Sequence, residues 1–225
     1  MKLYKLTDRN VQTYGGCQWG EGVEHTASGE GDLCDSGWLH AYTHPLLAVL
    51  LNPIYGNFRQ ARMWEAEGIV GKEDRGLEVG CTRLKTIREV PMPEVTTEQH
   101  VRFAIACTLQ VYDESSFVDW AKNWLSGKDR AEASASARAE AAAEAAASEA
   151  AEDTTWWSWA AEVAEAAAEA ATDAAAPRTL SAWAAASVWD DIPLAAIAEW
   201  AVTNEPFESL ERLIRKDNAQ EEHQC

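Results

Sequence analysis

The chain lacks any apolar run approaching the roughly 20 residues that a membrane-spanning helix needs. Its longest, Pro45–Leu51, has the length of a short buried element. Met1-Lys2-Leu3-Tyr4-Lys5 leads at once into polar residues, where a signal peptide would continue into an apolar stretch; the expectation is a cytoplasmic protein with no membrane partner. Cysteine is sparse and scattered. Cys17, Cys34, Cys81, Cys107 and Cys225 include no CxxC pair, which excludes a zinc ribbon and a disulfide framework and leaves reduced thiols. Cys17, His25, Cys34, His40 and His44 are metal-capable types within a short stretch, but their spacing matches no zinc pattern, so no metal is expected.

Phosphate-binding glycines are missing too. Gly20-Glu21-Gly22 has no third glycine and no helix behind it, so neither a P-loop nor a dinucleotide fingerprint is present, and no cofactor is expected. Ser28-Gly29 and Ser36-Gly37 read as turns and form no nucleophile elbow. The largest deficit is positive charge: 19 Lys/Arg stand against 37 Asp/Glu, a net charge of −18. Residues 1–95 hold 10 Lys/Arg and 13 Asp/Glu, so residues 96–225 hold 9 and 24, a net of −15. Nucleic-acid affinity comes largely from cations that displace counterions, so direct DNA or RNA binding by the second half is excluded. A surface of this sign binds a basic protein partner, or serves only to keep the chain soluble.

What is present in abundance is alanine and tryptophan. Thirteen of the 21 residues in Ala131–Ala151 and 11 of the 17 in Ala160–Ala176 are alanine, a strong local preference for helix. Alanine buries little surface, so such helices need large side chains from elsewhere, and the chain has 11 tryptophans. Trp156, Trp159, Val163, Ala166 and Ala170 trace one apolar seam, with Glu162, Glu165, Glu169 and Asp173 on a separate stripe. Like charges four residues apart cost about 0.2–0.5 kcal/mol each in a helix, so that stripe belongs in water or against a basic partner. Self-association through the Ala-rich helices is a third use.

Around this stretch the pattern predicts an α+β chain: a small four-stranded N-terminal sheet with a short helix over residues 1–95, an acidic Ala/Trp-rich helical bundle over 96–216, and a frayed tail over 217–225. Strands are expected at Met1–Leu6, Gly37–Tyr42, Ala61–Val70 and Gly76–Val90, with Gln12–Ser36 as a long glycine-rich loop or ragged hairpin. Pro45 opens a helix that Asn52-Pro53 stops. Thr96 and Gln99 stand at capping-box spacing. A further helix carries Phe117, Trp120, Ala121 and Trp124. Pro177, Pro193 and Pro206 each mark a helix boundary, with Trp183 and Trp189 in the helix that begins near Thr179 or Ser181.

The N-terminal half offers one group of side chains able to hold a nucleotide-like ligand: Trp19, Trp38, His40 and Tyr42, with Arg59, Arg62 and Arg83 as phosphate partners and Glu65 or Glu67 as an acidic group. A His, Tyr, Glu set on a split sheet resembles the nicotinamide-binding site of ADP-ribosyltransferases, which implies ADP-ribose transfer with Glu65 or Glu67 activating it. His40 and Tyr42 here share one strand, where that family places them on separate strands. A second resemblance rests on Trp19-Gly20-Glu21-Gly22, Gly37-Trp38-Leu39-His40-Ala41-Tyr42 with Pro45-Leu46-Leu47-Ala48, Met63-Trp64-Glu65-Ala66-Glu67-Gly68, and Trp124-Leu125-Ser126-Gly127-Lys128-Asp129-Arg130. In these segments the chain resembles a group of bacteriophage-encoded proteins. That resemblance implies an accessory protein of the infected host cell that binds and inhibits a host protein, immune components included, through the face carrying Glu162, Glu165, Glu169 and Asp173, with no catalytic residue.

Overall fold

A computed structural model describes residues 1–33, 35–52, 56–74, 76, 78–109, 115–128, 193–203 and 205–213. The Ala-rich segments, Trp183, Trp189 and the acidic stripe Glu162, Glu165, Glu169 and Asp173 lie outside the described residues, as do Cys34 and the tail. The chain is mixed α and β, and divides into two compact units, Met1–Glu94 and Val95–Cys225.

The first unit contains β1 (Lys2–Thr7), β2 (Gln12–Thr13), β3 (Cys17–Gln18), β4 (Glu24–Thr26), β5 (Leu39–Ala41), α1 (Pro45–Leu51), β6 (Arg62–Asp74) and β7 (Glu78–Val90). Its sheet has five antiparallel strands in the order β1-β6-β7-β4, with β5 also on β7, beside a separate β2–β3 hairpin. β7 is 13 residues long and hosts both short strands, β5 along 79–81 and β4 along 83–85. The circuit then closes. Tyr4 N donates to Tyr42 O at 2.8 Å and Tyr42 N to Tyr4 O at 2.9 Å, so β1, β6, β7 and β5 form a ring. Register shifts at Glu65/Ala66, Ile69/Val70 and Val70/Lys72 supply bulges in the long hairpin, and bulges are what let a sheet coil this tightly.

Leu3, Ala41, Ala66, Val79, Cys81 and Leu84 form one core cluster, with Trp19 packed among them. On β1 the alternation puts Leu3, Lys5 and Thr7 on one face and Tyr4 and Leu6 on the other. α1 packs against β1 and buries Leu47, Ala48, Leu50 and Leu51. His44 caps it, its Nδ1 accepting from Leu46 N at 3.3 Å, and Pro45 occupies a position where no N–H is needed.

Five strands replace the four expected because β4 arises inside the glycine-rich stretch. Glu24-His25-Thr26 has no apolar alternation to announce a strand; its place is fixed by β7. Gly22 N donates to Thr86 O at 2.8 Å, Thr86 N to Val23 O at 3.0 Å and Ala27 N to Thr82 O at 2.9 Å. The rest of that stretch folds over the sheet, with Trp38 lying on glycines. A Cβ at Gly71 would stand 2.7 Å from Trp38 Cζ3, and one at Gly80 3.1 Å from Trp38 Cδ2 and Cε3. Glycine inside a strand marks such a close approach. Trp38 Nε1 donates to Gly31 O at 3.2 Å.

The second unit contains α2 (Thr97–Thr108), α3 (Ser115–Leu125), α4 (Leu194–Thr203) and a further helical segment at 207–213. No described helix is long and apolar enough to cross a membrane. Both halves of the capping box form at Thr96 and Gln99. α2 packs on α4, and two of its side chains satisfy carbonyls around the C-terminal end of α4, groups that no intrahelical N–H reaches. Gln99 Nε2 donates to Val202 O at 2.7 Å, while Arg102 donates through Nε to Ala201 O at 3.2 Å and through Nη2 to Glu205 O at 2.6 Å. Arg102 is buried, its guanidinium 4.2 Å from the Trp200 ring centre. A cation at a helix C-terminus also complements the helix dipole.

Two outcomes follow. Gly71→Ala lowers the urea midpoint by an amount equivalent to about 1–3 kcal/mol, the cost of pushing a side chain into a filled site, and Trp38→Leu added to it recovers part of the loss. Arg102→Lys costs about 1–3 kcal/mol in urea unfolding, because a lysine cannot make both donations and stack on Trp200.

Candidate functional site

The side chains proposed to hold a ligand separate onto different surfaces of the first unit. Trp19 is interior at 3% exposure. Its Nε1 donates to Thr13 Oγ1 at 2.9 Å, and the His25 ring meets it edge-on at 4.6 Å. Trp38 is half-buried against Gly71 and Gly80. His40 Nε2 is 2.5 Å from Leu33 O, and desolvation holds its imidazole pKa below the usual value. Tyr42 is buried at 5% exposure; burial, with the Glu78 carboxylate adding to it, pushes its phenol well above the ordinary range.

Tyr42 and Glu65 nonetheless belong to one cross-strand row. Tyr42 bridges Tyr4, Tyr4 registers with Glu65, and Glu65 registers with Arg88. Directly opposed residues present their side chains to one face, so Tyr4 separates the tyrosine from the carboxylate. Glu65 accepts from Arg88 at 2.8 Å and 3.0 Å and lies 3.6 Å from Lys2 Nζ. These hydrogen bonds and charges lower its carboxyl pKa, the opposite of the shift that makes a glutamate a general acid near neutrality. Glu67 is exposed, opposite Lys2 on one side and Lys85 on the other. Arg62 forks onto Glu89 and lies over the Trp64 ring at 5.4 Å. Arg59 and Arg83 are exposed.

The group that the fold does gather is centred on Lys5, which residue-by-residue reading left aside. Its ammonium donates to His40 O at 2.7 Å and stands 5.3 Å from the Trp19 ring centre. Lys5 is 8% exposed, in a neighbourhood that includes buried Glu78 and Cys81 and half-buried Cys17. Desolvation lowers its pKa to about 8, against opposing pulls led by Glu78. Burial likewise raises the Cys81 thiol to about 11. The one signal in the sequence was that Lys5 shares a strand face with Leu3 and Thr7, whereas lysine is normally assigned to water. Among the described residues, no group of three or more His, Cys, Asp or Glu is arranged to hold a metal ion.

Chemically, the arrangement is a buried cation held by a carbonyl, an indole face and a nearby carboxylate. It pins β1 to β5 from within the ring. No family model matches the chain, and neither a curated protein nor a solved structure matches it.

Because the folded state disfavours the charged amine, the unfolded chain binds the Lys5 proton more tightly. The penalty is present in full below about pH 8 and is relieved as pH rises to 10.5, a change of about 3 kcal/mol in favour of the native state. The stability of Lys5→Met relative to the native chain therefore falls by that order over this interval when unfolding is followed in urea. A constant difference across the interval is inconsistent with a buried, shifted amine.

Proposed function

We propose that the protein is a phage-type accessory protein that binds a basic host protein and inhibits it stoichiometrically, without catalysing a reaction on it. The observation that carries this reading is the charge partition: residues 96–225 hold 24 of the 37 acidic residues against 9 of the 19 basic ones. A field of that sign steers a basic partner and repels nucleic acid. In this reading the second unit is an acidic helical bundle, the Ala/Trp-rich segment included, and a host immune component is among the targets it suits. The first unit serves as scaffold, since its most suggestive polar groups already have internal partners. Glu65 is paired with Arg88 and Lys2, and Arg62 with Glu89. The resemblance of the Trp19–Gly22, Gly37–Tyr42, Pro45–Ala48, Met63–Gly68 and Trp124–Arg130 segments to bacteriophage-encoded proteins supports the origin. Ligand binding around Trp38, His40 and Tyr42 is the weaker alternative, because Tyr42 is 5% exposed and entry requires it to open.

Recovery of a basic host protein on the tagged chain is expected to fall steeply from about 0.1 M to about 1 M salt, as the Debye length shrinks from about 10 Å to about 3 Å. The activity of the recovered protein should be lost in proportion to added chain and saturate at equimolar ratio. Loss at far below equimolar amounts, or turnover of nicotinamide dinucleotide that disappears in Glu65→Gln, is the result of an enzyme and removes this reading.

A further inference from the structure

The second unit has a cleft of about 530 Å³ beside the start of α2, within the size range of sites that seat side chains or small ligands. We propose that this cleft receives a basic, amphipathic segment of a protein partner, an inference that rests on the reading of the acidic half as a binding surface.

The cleft combines two chemistries. Leu125, Pro206 and Phe207 give it apolar lining, while Glu98, Glu205 and Glu208 bring three carboxylates to it. Leu125 is buried and Phe207 half-buried, whereas the three glutamates and Pro206 are exposed. Arg102, the lining residue of opposite sign, is itself buried and turned onto Ala201 O, Glu205 O and the Trp200 ring. It therefore serves the end of α4 and leaves the carboxylates in excess.

Beside the cleft, the molecule already shows how a cation is accommodated against one of its lining residues, Phe207. Lys122 Nζ stands 5.7 Å from the centre of the Phe207 ring and 3.6 Å from Glu211 Oε1, one helical turn further on. A lysine or arginine of a partner finds the same pair of features within the cleft, an aromatic side chain and carboxylates beside it. Its aliphatic stem covers Pro206 and Leu125 while its charged head stays among the glutamates. An anion fits poorly. Besides meeting three carboxylates, it would find the N-terminus of α2 engaged, with Gln99 N donating to Thr96 Oγ1 at 3.2 Å and Thr96 N to Gln99 Oε1 at 2.8 Å. A wholly apolar segment would strip water from the glutamates and return nothing. A segment that alternates apolar and basic side chains meets both halves of the lining.

The test uses the full chain and two synthetic amphipathic peptides, one of leucine and lysine and one of leucine and glutamate, with binding followed by calorimetry at low and high salt. The Leu/Lys peptide should bind and the Leu/Glu peptide should not. The double variant Glu205→Gln, Glu208→Gln should weaken the Leu/Lys peptide about fivefold to tenfold, the effect of losing two rim charge pairs, and flatten its salt dependence. Phe207→Leu should weaken it at high salt as well, where charge is screened. Both glutamates are exposed, so an unchanged urea midpoint confirms that the double variant is folded. If the cleft alone receives the peptide, the quadruple variant Glu162→Gln, Glu165→Gln, Glu169→Gln, Asp173→Gln leaves affinity within about twofold, as independent sites do. Affinity unchanged in the double variant but reduced in the quadruple one overturns the cleft and leaves the acidic-surface reading standing. Equal binding of the two peptides, or of neither, overturns both.

Discussion

Closure of the N-terminal sheet is the constraint on which the first unit depends. A ring built on β1, β6, β7 and β5 is completed by the reciprocal hydrogen bonds of Tyr4 and Tyr42, and closing a sheet removes edges that would otherwise pair with other chains. A ring this small has little room, and its lining is correspondingly fine-grained: Ala41, Ala66 and Cys81 are buried beside Leu3, Leu84 and Trp19. Lys5 enters the same space and ties β1 to the His40 carbonyl. Outside the ring, the glycines of the long hairpin let Trp38 lie almost on the backbone, so the glycine-rich stretch becomes a fitted cover. Conformation, packing and the buried charge are consequences of one closed topology.

That topology also explains why His40, Tyr42 and Glu65 of the first unit are not brought together. Outward positions on neighbouring strands carry opposite charges in register, so Glu65 meets Arg88 and Lys2, and Glu67 stands between Lys2 and Lys85. Cross-strand pairs of this kind stabilise a sheet modestly, and the Arg88 hydrogen bonds lower the Glu65 carboxyl pKa. A glutamate that serves as a general acid near neutrality needs the reverse environment, dry and short of cations. The second unit uses charge differently. Arg102 and Gln99 of α2 close the end of α4, while carboxylates remain at its surface around Phe207.

Legibility followed the range of the interactions. The helix Pro45–Leu51 has the bounds that proline and Asn52 dictate, and the Thr96–Gln99 capping box is entirely local. The two long strands were readable from their length and β-forming residues, although the hairpin runs on to Asp74. β4 was hidden, since three polar residues become a strand only through their pairing with β7. Lys5 and Arg102 were hidden for the same reason. Each reads as solvent-facing until a partner distant in sequence claims it, 35 residues away for Lys5 and 99 for the Nε of Arg102. Of the candidate ligand residues, types were visible but faces were not: Trp19 went to the interior, Trp38 onto glycine, and Tyr42 into a row divided from Glu65 by Tyr4.

The central claim is that binding belongs to the acidic unit while the closed sheet is scaffold. Hydrogen exchange of the full chain, read by mass spectrometry with and without the Leu/Lys peptide, addresses it directly. The account predicts that protection on binding is confined to peptides from Val95–Cys225 and includes the start of α2 and the 205–208 turn. Protection concentrated instead in the Trp19–Tyr42 stretch of the first unit would contradict it.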